Sequence, residues 1–98
     1  MKKTESFDLS RKLKRKREQI DSIDRRILIL LNQRIRTGME LGKIKEEMGK
    51  KIYDPQRETK VLKKLRRGNR GPLIDKDLEK IFRTIIRVCR NSQKGGPS

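Results

Sequence analysis

Residues 17–34 read REQIDSIDRRILILLNQR, and this stretch decides the fold of the chain. Its apolar side chains recur at intervals of three and four residues, at Ile20, Ile23, Ile27, Leu30 and Leu31. Such spacing places them on one face of an α-helix. The same interval returns further along the chain, at Leu41, Ile44 and Met48, and no proline interrupts the pattern. The spacing therefore predicts one long helix from about Ser10 to Met48, with Ser10 as its N-cap and Gly49 as its stop.

Two shorter helices are predicted after the long one. Asp54 is a good N-cap and Pro55 suits the first helical turn, so the second helix is expected to start there. Its buried side would be formed by Val61, Leu62 and Leu65. The segment RRGNRGP, residues 66–72, ends it because two glycines and a proline break a helix. Asp75 is the expected N-cap of the third helix, whose apolar face comprises Leu78, Ile81, Phe82, Ile85, Ile86 and Cys89.

The pattern predicts an all-α fold with three helices per chain, one long and two shorter. The long helix would measure roughly 58 Å, whereas helices of roughly 14 and 18 residues span only about 21 and 27 Å. Neither short helix can cover the whole apolar stripe, so a second copy related by a two-fold axis is expected to do so. We therefore predict an intertwined homodimer, with a basic N-terminal extension at residues 1–12, a helical domain at 13–93 and a flexible tail at 94–98.

Composition narrows the function classes. Among 98 residues there is one cysteine and no histidine, which excludes a zinc cluster, an intrachain disulfide and Ser-His or Cys-His catalysis within this chain. No apolar run is long enough to span a membrane, and residues 1–12 do not resemble a secretory signal, so we expect a cytoplasmic protein without a membrane partner. The net charge of +16 predicts anionic partners without saying which.

Two cations stand on the helix face that should be apolar. Arg34 continues the stripe of the long helix, and Lys45 lies beside it, about 20° away in direction and about 16 Å along the axis. Two long cationic side chains on one inward face can hold a small anion between them, with Glu58 or Asp54 available to neutralise one of them. The alternative is that Arg34 buries only the aliphatic part of its side chain and keeps its guanidinium in the solvent. On the third helix the stripe continues from Cys89 to Gln93, either as an exposed end or as a polar group facing a site.

These residues belong to motifs that resemble the all-α (AroQ-class) chorismate mutases. Residues 17–34 resemble that family's opening: an arginine, I-x-x-I-D, and a leucine-rich turn that ends in arginine. GKIK (42–45) and DPQRE (54–58) follow at the family's spacing, and IFRTIIRVCRNSQ (81–93) resembles its third-helix ending. The resemblance covers roughly residues 13–93. It implies an interlocked dimer with two active sites that convert chorismate to prephenate by a Claisen rearrangement, in aromatic amino-acid biosynthesis, with no cofactor.

The resemblance also implies roles for the cations. Arg34 and, across the dimer, Arg17 match the arginines that bind the two carboxylates of chorismate. Lys45 matches the lysine that contacts the ether oxygen and a carboxylate, and Gln93 matches the glutamine on the same ether oxygen. Because Arg17 lies about 100° around the axis from Arg34, it is expected to serve the partner's site rather than that of its own chain.

The remaining implied site residues surround the substrate ring. Glu58, with the backbone near Asp54, matches the groups that hold the ring hydroxyl, and Arg57 matches an arginine placed near the site. We expect Arg57 and Glu58 to face the pocket lined by the other cations. Cys89 falls where a well-known family member has a serine that contacts substrate, although a thiol is a weaker donor than a hydroxyl.

Two other functions are compatible with the sequence. An isochorismate-pyruvate lyase would share the fold and the cationic pocket, but the complete DPQRE motif favours the mutase. A non-enzymatic, basic helical module that binds nucleic acid is the other class, supported by the net charge. Aromatic residues for stacking amount to only 3%, and no helix-turn-helix or zinc signature is recognisable, so nucleic acid is not the expected partner.

Overall fold

The computed structural model describes residues 3–94, which form three α-helices. They are α1 (Lys3–Glu47), α2 (Pro55–Gly68) and α3 (Asp75–Gln93), and this described part of the chain contains no strand. The prediction of an all-α fold with one long and two shorter helices is confirmed. The predicted flexible tail lies outside the described residues, except for Lys94.

The prediction that α1 begins at Ser10 is wrong. The helix already includes Lys3, and Ser10 lies inside it with an exposed side chain. Residues 3–9 contain no proline or glycine to stop the helix, and Glu5 in the first turn is favoured by the helix dipole. The expected basic extension is therefore helical wherever it is described.

The C-terminal end of α1 agrees with the prediction. Gly49 has a positive φ of 68°, a conformation that costs glycine little. Its amide donates to the Glu46 carbonyl, and the amide of Lys50 donates to the Lys45 carbonyl. This pair of bonds is a Schellman motif, which satisfies the last carbonyls of the helix and turns the chain away.

The starts of the two shorter helices differ in how they are capped. Asp54 is the N-cap of α2 as predicted, because its Oδ1 accepts from the Arg57 amide at 3.0 Å. Asp75, however, is the first helical residue of α3, and the N-cap position belongs to Ile74, which makes no side-chain cap bond. The Asp75 carboxylate accepts instead from Asn69 Nδ2 at 3.1 Å, so it is engaged with the preceding loop.

The chain divides into two compact units, residues 1–32 and 33–98. Within the second unit, the buried apolar side chains come from α2 and α3: Leu62, Leu78, Ile86 and Cys89. An ion pair between Arg66 and Glu79 also joins these two helices. Ile81, expected on the buried face, is 48% exposed.

The described part of the first unit is residues 3–32 of α1, and the apolar stripe of this segment is not covered within that unit. Ile20, Ile23, Ile27 and Leu30 are 48–62% exposed. None of the described helices has an apolar stretch long enough to cross a membrane.

Candidate active site

The C-terminal part of α1 and the end of α3 approach each other at two buried glycines, Gly38 and Gly42. A Cβ placed on Gly42 would lie 3.0 Å from both the Cβ and the carbonyl oxygen of Gln93. A Cβ on Gly38 would meet Gln93 Nε2 at 3.7 Å and the Cys89 Cβ at 3.8 Å, which are ordinary contacts. The absence of a side chain at Gly42 therefore sets how closely α3 can approach.

Lys45 and Gln93 meet at this junction. Lys45 Nζ donates to the Ile52 carbonyl at 3.0 Å and reaches Gln93 Oε1 at 3.5 Å, the long end of a hydrogen bond. An ammonium has three donors, so one remains for a ligand. Because Oε1 faces the ammonium, the Nε2 donors of Gln93 are directed away from it, beside Gly38. The junction thus presents donors from two helices.

Arg34 and Cys89 flank these donors. Arg34 is half-buried and stands one turn before Gly38, on the face of α1 that meets α3. Cys89 is 3% exposed, and its Cβ lies against that same glycine position. The structure therefore brings Lys45 and Gln93 together, places Cys89 one helical turn before Gln93 and beside Gly38, and leaves Arg34 on the face of α1 that it shares with Lys45 by spacing.

Glu58 and Asp54 do not neutralise Arg34 or Lys45, so that expectation is wrong for the described chain. Both carboxylate oxygens of Glu58 accept from Arg90 Nη1, at 2.9 and 2.7 Å. The Arg90 guanidinium carbon also lies 4.7 Å from the centre of the Tyr53 ring, a cation–π contact. Asp54 is occupied by its capping bond. Glu58, the glutamate of the DPQRE motif, therefore forms its ion pair with Arg90 of α3.

Arg57 and Arg17 lie elsewhere. The side chain of Arg57 is exposed and borders a groove with Val61, Leu65 and Leu78, so the expectation that it faces the pocket lined by Arg34 and Lys45 is not met. What Arg57 contributes within this chain is its amide, bound by the Asp54 cap. Arg17 is exposed on the first unit.

Sequence reasoning missed Arg90, Tyr53 and the Ile52 carbonyl as neighbours of the site residues. Arg90 could have been suspected only from its position three residues before Gln93, because the chain holds 29 lysines and arginines. The carbonyl carries no sequence signal at all. The four-residue spacing of Gly38 and Gly42 was a usable signal, since small residues on one helix face permit close packing.

Gly42→Ala is expected to displace the end of α3 and to separate Gln93 from Lys45. A Cβ at 3.0 Å from backbone atoms requires a shift of the helix, and overpacking of this kind costs roughly 1–3 kcal/mol. Thermal unfolding followed by circular dichroism should show a lower Tm. Gly38→Ala is the matched control, because its Cβ would find ordinary contact distances, and it should keep the wild-type Tm or raise it. Equal behaviour of the two variants would contradict this account.

Known proteins resemble this chain in sequence. A family model described as chorismate mutase type II matches residues 16–94. The chain is 32% identical over 84 residues to a chorismate mutase of Methanocaldococcus jannaschii, with 85% of each chain covered. It is 38% identical over 82 residues to a bifunctional chorismate mutase/prephenate dehydratase of Stutzerimonas stutzeri, covering 79% of this chain and 22% of that protein.

A solved structure agrees with these sequence matches. A chorismate mutase (form II) from Thermus thermophilus superposes with a TM-score of 0.84 at 31% identity, covering 89% of this chain and 99% of that one. By contrast, the chain spans only about a fifth of the length of the bifunctional relatives that it matches.

Proposed function

Because this chain belongs to the chorismate mutase type II family, we propose that it catalyses the Claisen rearrangement of chorismate to prephenate. The observation that carries the proposal is the convergence of Lys45 Nζ and the Gln93 amide at the α1–α3 junction. Lys45 Nζ keeps one donor free, and Gln93, which accepts from it through Oε1, keeps its Nε2 donors for a ligand. The rearrangement is intramolecular, so it requires groups that bind and orient rather than groups that react.

The junction supplies electrostatic stabilisation of the transition state. As the C–O bond of chorismate breaks, negative charge develops on the ether oxygen. Lys45 and Gln93 are the donors proposed to face that oxygen, so they bind the transition state more tightly than the ground state. The bond from Lys45 to the Ile52 carbonyl holds the ammonium in position before substrate arrives. The cost of reorganising the site during the reaction is thereby reduced.

Arginines are proposed to bind the two carboxylates of the substrate. Arg34 is on the same helix face as Lys45 and is half-buried, which suits a guanidinium that binds a carboxylate within a site. Arg17 of a second copy is proposed to bind the other carboxylate. Binding both groups would select the compact, chair-like conformer and remove orientational entropy from the barrier.

The ring hydroxyl is proposed to be held by Glu58 together with the backbone near Asp54. Glu58 is positioned for this by Arg90, whose two bonds orient the carboxylate and leave further lone pairs to accept. Cys89 is proposed to border the substrate only through its packing, because it is buried against the glycine face. For Arg57 we propose a structural role, as the residue whose amide completes the α2 cap.

A homodimer is proposed as the working form. This proposal is supported by the apolar stripe of residues 20–30, whose side chains are about half exposed in the single chain. Leaving this apolar surface in water would cost free energy. A second exposed apolar line on α3, formed by Ile81 and Val88, would be covered in the same way. The domain proposed to carry the activity is residues 13–93.

The test is to follow the loss of chorismate absorbance with purified protein while measuring its mass in solution. We expect prephenate as the product and a particle of twice the 11.6 kDa chain mass. Isochorismate should be supplied in parallel, because much faster turnover of isochorismate would identify a lyase instead. No turnover of either compound by a folded dimer would contradict the proposed function.

A further inference from the structure

The outer face of α3 carries a continuous line of exposed cations. Along this helix and the residue that caps it, exposed cations follow one another at spacings of four, three, four and seven residues: Lys76, Lys80, Arg83, Arg87 and Lys94. These intervals keep all five on one side of the helix, opposite the side that buries Leu78 and Cys89. We call these five residues the α3 cationic stripe.

The stripe is not neutralised within the described part of the chain. The ion pairs formed there are Arg66–Glu79 and Arg90–Glu58, and neither includes a member of the stripe. Of the acidic residues at the start of α3, Glu79 is bound by Arg66, Asp75 accepts from Asn69, and Asp77 forms no ion pair in the described chain. The cations therefore remain available to a ligand.

The stripe also has a cost to the fold. Like charges at i and i+4, such as Lys76 with Lys80 and Arg83 with Arg87, destabilise a helix by a few tenths of a kcal/mol per pair. No ion pair of the described chain offsets this repulsion. The mutase chemistry proposed above uses none of the five cations either. An anionic partner bound along the stripe would convert the repulsion into attraction.

The shape of the stripe selects the class of partner. It extends over about 27 Å along the helix axis, so a small anion would meet only two of its members. A lipid surface is disfavoured because an interfacial helix inserts a broad apolar face, whereas Leu78, Ile86 and Cys89 of α3 are buried and its exposed large apolar side chains are Ile81 and Val88. A second copy of the chain would bring the same positive charge against it. The partner class that remains is a long polyanion whose charges are regularly spaced.

We propose that the α3 cationic stripe binds the phosphate backbone of a double-stranded nucleic acid, without regard to base sequence. Duplex DNA carries one negative charge per about 1.7 Å of its axis, so a straight row of cations meets phosphates along its whole length. The low aromatic content argued against stacking on single-stranded bases, but phosphate contacts require no aromatic side chain. This binding would be separate from the mutase activity and would account for part of the charge excess.

The experiment measures fluorescence anisotropy of a labelled DNA duplex of about 20 base pairs, which exceeds the length of the stripe. Five phosphate contacts predict a slope of log K against log salt near about −4.5, and hence a loss of several hundredfold in affinity between about 50 and 200 mM salt. Lys80→Gln/Arg83→Gln/Arg87→Gln should reduce the slope by about 2.7 and weaken binding at least about tenfold at the lower salt concentration. Circular dichroism should show that this variant keeps its helices.

A matched variant separates the stripe from net charge. Lys12→Gln/Lys14→Gln/Lys16→Gln removes the same charge from α1 and should leave most of the affinity. Equal losses in the two triple variants would overturn the proposal, because binding would then follow total charge. So would failure of the wild-type protein to bind duplex while it binds vesicles of phosphatidylcholine with phosphatidylserine. A duplex RNA of the same length tests whether the phosphate backbone alone is read, and we expect similar affinity for both.

Discussion

Lys45→Ala is expected to lower chorismate turnover by at least about a hundredfold. One donor aimed at a developing oxyanion contributes about 3–4 kcal/mol to the transition state, and each 1.36 kcal/mol changes the rate about tenfold. The loss should appear mainly in kcat, because the charge on the ether oxygen exists only as the bond breaks. Steady-state kinetics of the purified variant, followed by chorismate absorbance, measure both kcat and KM.

The fold of this variant needs its own check, because Lys45 also binds the Ile52 carbonyl. Removing it could loosen the α1–α2 loop. Lys63→Ala, an exposed lysine on α2, is the matched control for charge and should keep full turnover. Gln93→Ala supplies an independent measurement, since it removes the second donor and leaves the Lys45–Ile52 bond in place. Near wild-type turnover in both Lys45→Ala and Gln93→Ala would show that this junction is not the catalytic centre.

Arg17→Ala and Lys45→Ala are each expected to be nearly inactive alone, yet to regain activity when mixed. If Arg17 serves the partner's site, a mixed dimer contains one site with both residues intact and one site that lacks both. Random exchange makes about half of the dimers mixed, so about a quarter of the wild-type activity should return. The measurement is chorismate turnover after the two variants are unfolded together and refolded.

The matched control for this experiment pairs Lys45→Ala with Arg34→Ala. Both residues are proposed to act in the same chain's site, so in a mixed dimer each site lacks one of them and little activity should return. No recovery with Arg17→Ala would show that Arg17 acts in the same chain's site as Lys45, and recovery in the control would show that Arg34 does not.

Local signals explain why parts of the fold could be predicted from sequence. The Asp54-Pro55 start of α2 and the Gly49 stop of α1 depend on backbone chemistry within a few residues, and both are as predicted. The start of α1 was placed too late, at Ser10 rather than Lys3, because a plausible cap has no effect when nothing before it breaks the helix. Asp75 was misplaced by one position because its carboxylate is engaged by Asn69, a loop contact that spacing does not reveal.

The sequence by itself determined the three helices and the face of α1 that carries Arg34 and Lys45, because helical periodicity is a property of spacing along the chain. Only the tertiary structure decided which groups meet on that face. Lys45 contacts Gln93, which lies 48 positions further along the chain. Glu58 pairs with Arg90 rather than with the cations of α1. Those pairings depend on how closely α3 approaches α1, and that distance is set by the absence of a side chain at Gly42.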